Sequence, residues 1–156
     1  MSRFVSPDRN RAAAGAAHEE EVTMQSKPRL LIVDDELLIR DLLYDYFAAR
    51  DFDIAVADSG HKALTLMAES EFDALILDVK MPGMDGLQLT DKIREDGSDV
   101  PIIIITGYPS LDSAIDALRH RVDDYFVKPV NLTHLRRAVE SALSRRAGGY
   151  EARTEP

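Results

Sequence analysis

Short runs of branched apolar residues alternate with amphipathic stretches along most of this chain. The apolar runs fall at Arg29–Asp34, Phe52–Ala57, Ala74–Asp78, Val100–Thr106 and Asp124–Val127. Several, notably "LLIV", "ALIL" and "VPIIII", are continuous rather than alternating. That marks strands covered on both faces, and hence a parallel sheet under helices. The second run, "FDIAVA", is less apolar and suits an edge. Between the runs, apolar residues recur at helical spacing: Ile39, Leu42, Leu43 and Tyr46, then Leu111, Ala114, Ile115 and Leu118, and finally Leu132, Leu135, Val139, Ala142 and Leu143. Ser59, Asp85 and Asn131 stand where helices should start, and Gln88 is spaced to complete a capping box with Asp85. The pattern predicts an α/β fold of five βα units. Right-handed crossovers wind these into a doubly wound, five-stranded parallel sheet.

The two ends break this pattern. Residues 1–27 hold no sustained period, and Arg3, Arg9, Arg11 and Lys27 offset Asp8, Glu19, Glu20 and Glu21. A disordered leader is expected there. Its Arg- and Ala-rich, acid-poor opening also suits an organelle transit peptide, and translation from Met24 is a third reading. Residues 147–156 contain Gly148-Gly149 and scattered charges, and are expected to form a flexible tail. One folded domain, residues 28–146, remains.

Charge and composition narrow the function. There are 28 acidic residues against 19 basic, a formal net charge of -9, which argues against direct DNA binding. The absence of cysteine excludes disulfides, thiol catalysis and zinc–thiolate sites. No apolar run reaches the roughly 20 residues that span a bilayer, and the expected location is cytoplasmic.

Candidate chemistry gathers at the strand ends. The first strand runs straight into Asp34, Asp35 and Glu36; the third ends in Asp78, the fourth in Thr106, and the fifth leads into Lys128. In an open α/β sheet the ligand site lies beyond the carboxyl ends of the strands, so these residues share one edge. Three buried carboxylates would repel each other, and unpaired buried charge is costly. A hard divalent cation with oxygen ligands, such as Mg²⁺, relieves this. Thr106 and Lys128 suit phosphate oxygens. Taken singly, each residue has a plainer reading: Asp35 as a helix cap, Asp78 and Thr106 as ordinary strand ends, Lys128 as a solvated lysine, Tyr125 as core.

The set Asp34-Asp35, "LILDVKMPGMDG", "IIITG" and "DYFVKP" resembles the receiver domain of two-component response regulators, over about residues 29–145. The resemblance implies a flavodoxin-like fold with strand order 2-1-3-4-5. It implies Asp78 as the phosphoacceptor. It implies a Mg²⁺ site of Asp34, Asp35, Asp78 and the backbone carbonyl of Lys80, with Asp34 acting partly through water. Thr106 would bond the phosphoryl group, Lys128 would pair with it, and Tyr125 would be the switch aromatic that turns inward. A cis Lys128–Pro129 bond is implied as well. Lys80 and Tyr108 fall at positions that tune aspartyl-phosphate lifetime.

The implied partner upstream is a sensor histidine kinase or a histidine phosphotransfer protein. An unidentified protein target would read the face formed by the fourth helix, fifth strand and fifth helix, through which a homodimer could also form. With only ten residues after Arg146, the expectation is a stand-alone regulator that catalyses only its own phosphorylation and dephosphorylation. Two alternatives stand beside it. One is a phosphorylation-independent scaffold. The other is a Mg²⁺-dependent aspartyl phosphatase, disfavoured because Lys80 stands where such enzymes place a second acid. The chain departs from the family at Arg121-Val122, where receivers usually read Gly-Ala. Either Arg121 ends the fourth helix in a left-handed conformation, at a cost of roughly 1 kcal/mol, or the helix ends differently. The basic residues Arg136, Arg137, Arg145 and Arg146 read as either a solvated helix face or a docking patch.

Overall fold

The computed structural model describes residues 26–154, with side chains through Ala147. Most of the leader expected over 1–27 lies outside the described residues, as do residues 155–156. Ten elements alternate strictly: β1 (Arg29–Val33), α1 (Leu37–Ala48), β2 (Asp53–Ala57), α2 (Gly60–Glu69), β3 (Ala74–Asp78), α3 (Gly86–Glu95), β4 (Ile102–Thr106), α4 (Leu111–Arg119), β5 (Asp124–Val127) and α5 (Leu132–Thr154). All strand pairings are parallel, in the order β2-β1-β3-β4-β5. The doubly wound sheet read from the apolar runs is the observed one, with the less apolar second run at an edge.

The strands bury both faces because side chains alternate across a sheet. Leu31, Val33, Leu75, Leu77, Ile102 and Ile104 join one core layer, with Ala63 of α2 and Leu89 and Ile93 of α3. Leu30, Ile32, Ala74, Ile76, Ile103 and Ile105 join the other, with Leu43 and Phe47 of α1 and Leu135 and Val139 of α5. Ser59 caps α2, Asp85 and Gln88 form a reciprocal capping box on α3, and Asn131 accepts from the His134 amide at the start of α5.

Two expectations change. The apolar stripe of α4 faces outward: Leu111, Ile115 and Leu118 are exposed, whereas Ser113 and Ala117 are buried. Helical periodicity identifies a stripe without saying which side the sheet lies on. Second, helical backbone extends to Thr154, into the segment 147–156 expected to form a flexible tail. Gly148 and Gly149 each cost about 1 kcal/mol relative to Ala, and the better helix formers around them carry the backbone through.

The end of α4 is held by an unusual pair of arginines. Arg121 takes φ 59°. Its amide donates to Leu118 and the Val122 amide to Ala117, at 3.0 and 3.1 Å, so the turn closes as a Schellman motif without glycine. Arg94 of α3 donates to the carbonyls of His120 (2.9 Å), Arg121 (3.2 Å), Val100 (2.8 Å) and Ser98 (3.2 Å). One guanidinium thus satisfies carbonyls that the helix end leaves without partners.

Candidate functional site

The winding reverses between β1 and β3, and the acidic residues flank that switch point. Asp34 follows β1 and is fully buried; Asp78 ends β3 and is 3% exposed. Asp35 turns toward solvent. Carboxylate oxygens of the three lie within 4.8 Å of one another. Glu36, not Asp35, occupies the N-cap position of α1, and its side chain makes no capping bond. Asp34 spends its other oxygen on the Glu36 amide (2.9 Å), and Arg40 holds the Asp34 carbonyl (2.8 Å). The start of α3 presses against the end of β3: a Cβ at Gly86 would overlap the Asp78 carbonyl.

Lys128 enters from the far side of the sheet. Its amide bonds the Thr106 carbonyl at 2.8 Å, and the Lys128–Pro129 peptide is cis. Its Nζ donates to Asp34 Oδ2 at 2.9 Å, Glu36 Oε1 at 3.0 Å and Asp78 Oδ2 at 3.3 Å. Burial, then the neighbouring Asp34 charge, raises the Asp78 carboxyl from 3.8 to about 6, against the pull of Lys128. For Lys128, burial acts downward. The bonds to Asp34 and Glu36 and the nearby charges outweigh it and hold the ammonium above its ordinary value.

These groups open into a cleft of about 570 Å³ bordered by Asp35, Glu36, Lys80, Tyr108 and Lys128. Thr106 is buried, and its hydroxyl accepts the Tyr108 amide at 3.0 Å. The Lys80 ammonium lies 5.9 Å from the centre of the Tyr108 ring. Tyr125 points inward against the core, its hydroxyl 2.7 Å from Ser113 Oγ of α4.

The structure therefore brings Asp35, Asp78, Lys80 and Lys128 around one cleft, with Asp34 buried and bonded to Lys128, Thr106 buried at the end of β4, and Tyr125 beneath α4. Of the four basic residues of α5, Arg137 and Arg145 border a common surface pocket, and three have partners elsewhere. Arg136 bonds Tyr46 and Glu140, Arg145 pairs with Asp123 and Arg146 with Asp99. Sequence reasoning did not find Glu36 as a partner of Lys128. The third acid of "VDDE" was its only signal, and an exposed acid at a helix start reads as ordinary.

The family model for the response regulator receiver domain matches residues 30–140. The chain belongs to the receiver domain family of two-component response regulators. Regulatory protein AtoC of Escherichia coli K12 is 37% identical over 115 residues, covering 74% of this chain and 25% of AtoC. Response regulator MprA of Mycolicibacterium vanbaalenii is 34% identical over 117 residues, covering 75% of this chain and 51% of MprA. The chain thus spans between a quarter and about half of the length of these relatives. Among solved structures, a CheY-like receiver domain protein from Methanospirillum hungatei JF-1 superimposes with a TM-score of 0.77 at 27% identity, over 80% of this chain and 99% of that one. The receiver domain of Francisella response regulator 1452 gives 0.72 at 29%, over 76% and 98%. Receiver domains bind Mg²⁺ at an acidic pocket and work with histidine kinases or phosphotransfer proteins. In this chain Asp34, Asp35 and Asp78 form an acidic cluster.

Proposed function

We propose that this receiver domain is a phosphorylation switch whose acceptor is Asp78. The observation that carries this reading is the convergence of three carboxylates within 4.8 Å, with the Lys128 ammonium 3.3 Å from Asp78. The donor set fits Mg²⁺. Its side-chain ligands are all hard oxygens, and burial and then the Asp34 charge, which raise Asp78, are both penalties on the carboxylate that a bound cation offsets. Asp34, Asp35, Asp78 and the Lys80 carbonyl would hold the ion, Asp34 partly through water. When bound, Mg²⁺ neutralises charge on the transferring phosphoryl group.

The chain's own residues do the rest. An Asp78 oxygen forms a bond to phosphorus as the P–N bond of a phosphohistidine breaks, and the electron pair of that bond returns to the departing imidazole. No separate base is needed, because Asp78 reacts as the carboxylate. Lys128 and Thr106 hold the new phosphoryl oxygens. Hydrolysis later returns phosphate and the free carboxylate, so catalysis is confined to the domain's own modification. The phosphohistidine belongs to a sensor histidine kinase or a histidine phosphotransfer protein.

Output follows from Thr106 and Tyr125. A hydroxyl drawn to the phosphoryl group reshapes the 106–110 loop, which leads into α4. The exposed Leu111, Ile115, Leu118 and Val127 give the α4-β5-α5 face an apolar surface for a protein target or a second copy. In this reading the output is a protein contact rather than DNA binding. Among the described residues no helix is long and apolar enough to cross a membrane, and the proposed location is cytoplasmic.

The test is incubation with acetyl phosphate, with and without Mg²⁺, of wild type and Asp78→Asn, read by intact mass. One phosphoryl adduct that needs both Mg²⁺ and Asp78 supports the switch. Absence of an adduct on folded wild type with Mg²⁺ contradicts it and favours a scaffold. Rapid donor turnover without an adduct points to a phosphatase.

A further inference from the structure

We propose that Glu36 is a removable counter-charge on Lys128, and that its displacement controls the rate at which anionic phosphodonors load the site. The inference rests on the reading of Asp78 as phosphoacceptor.

An ammonium has three N–H donors, and Lys128 directs its three to Asp34, Glu36 and Asp78. A phosphoryl oxygen on Asp78 needs one of them. The Asp34 side chain is fully buried and also holds the Glu36 amide, so it has nowhere to go. The Asp78 side chain is 5% exposed and carries the incoming group. Glu36 differs from both. Its side chain is 62% exposed, stands at the mouth of the cleft, and leaves the α1 N-cap position uncapped in order to reach Lys128. Its backbone is fixed by the 2.9 Å bond to Asp34, so the side chain can swing away without moving the helix.

Glu36 therefore occupies the third donor of Lys128 and places a negative charge where the donor's phosphoryl group must pass. Both effects slow loading, and the second grows with donor charge. Glu36 acts through Lys128 and is a positioning residue. Its backbone and exposure leave the three-aspartate cluster unchanged when the charge is removed.

The experiment compares wild type with Glu36→Gln, using acetyl phosphate (a dianion near pH 7.5) and phosphoramidate (a monoanion), both with Mg²⁺. Mg²⁺ affinity is measured separately by tyrosine fluorescence. The expected result is loading of Glu36→Gln by acetyl phosphate about two- to fivefold faster, the range that an exposed ion pair is worth. The gain should be smaller with phosphoramidate and should shrink at about 1 M salt, where screening is nearly complete over contact distances. Mg²⁺ affinity should stay within about twofold, since Glu36 lies outside the carboxylate cluster. Equal rates for the two proteins with both donors overturn the proposal while leaving Asp78 as acceptor. A large fall in Mg²⁺ affinity also overturns it, making Glu36 a metal ligand. No adduct on wild type with either donor removes the phosphoacceptor reading beneath it.

Discussion

The two ends of the sheet treat charge in opposite ways. At the amino ends of the strands, charges and carbonyls find partners across the chain. Arg29 bonds Asp53 at 3.1 Å and lies over the Phe72 ring, while its amide donates to Asp73 at 2.7 Å. Arg94 satisfies four carbonyls, and Arg146 reaches Asp99. At the carboxyl ends, Asp34, Glu36 and Asp78 share the ammonium of Lys128, and burial together with the Asp34 charge lifts Asp78 to about 6. One end is arranged for stability. The other gathers like charges around a buried carboxylate, an arrangement characteristic of functional sites.

Removing a clamp at the stable end should have the largest effect on folding. Arg94→Met keeps the side-chain bulk but leaves the carbonyls of His120, Arg121 and Val100 without their charged donor. We expect a loss of about 2–4 kcal/mol in urea unfolding, with the phosphorylation rate per folded molecule unchanged.

Removing charge at the other end should do the reverse. In EDTA, Asp78→Asn should be more stable than wild type by about 1–3 kcal/mol at pH 8, since each unit of pKa shift is worth about 1.4 kcal/mol. The folded carboxyl, near 6, lies above its ordinary 3.8, so the folded state binds the proton more tightly. The penalty is full above about pH 6 and vanishes as the pH falls below about 4. The stability gap between variant and wild type should close over that window. Saturating Mg²⁺ should stabilise wild type by about 2.7 kcal/mol at a hundredfold excess over Kd, and the Asn variant much less. A gap that is flat with pH would mean that Asp78 is not under strain.

The smallest effect belongs to Arg29→Ala. Its ion pair with Asp53 is largely exposed, so the loss should be about 1 kcal/mol or less, again with no change in phosphorylation.

Much of the fold was legible in the sequence. Continuous Ile, Leu and Val runs mark strands covered on both sides, and Ser59, Asp85 and Asn131 mark helix starts through local bonds to the backbone. The acids and Lys128 were legible because a parallel sheet brings every strand's carboxyl end to one edge. What stayed hidden depends on tertiary contact. The α4 stripe could face either way until β5 and Ser113 were placed. Arg94 finds its carbonyl partners at His120 and Arg121, 26 and 27 residues onward, with no local signal. Glu36 reads as a helix-start acid until Lys128 arrives from 92 residues away.

The central claim is that the crowded end of the sheet carries its phosphoryl group on Asp78. The most direct measurement is to phosphorylate wild type with acetyl phosphate and Mg²⁺, reduce the acyl phosphate with borohydride, and locate the resulting homoserine by peptide mass spectrometry. The account predicts homoserine at position 78 and nowhere else. Homoserine at Asp35 or another aspartate, or an adduct that resists reduction, would contradict it.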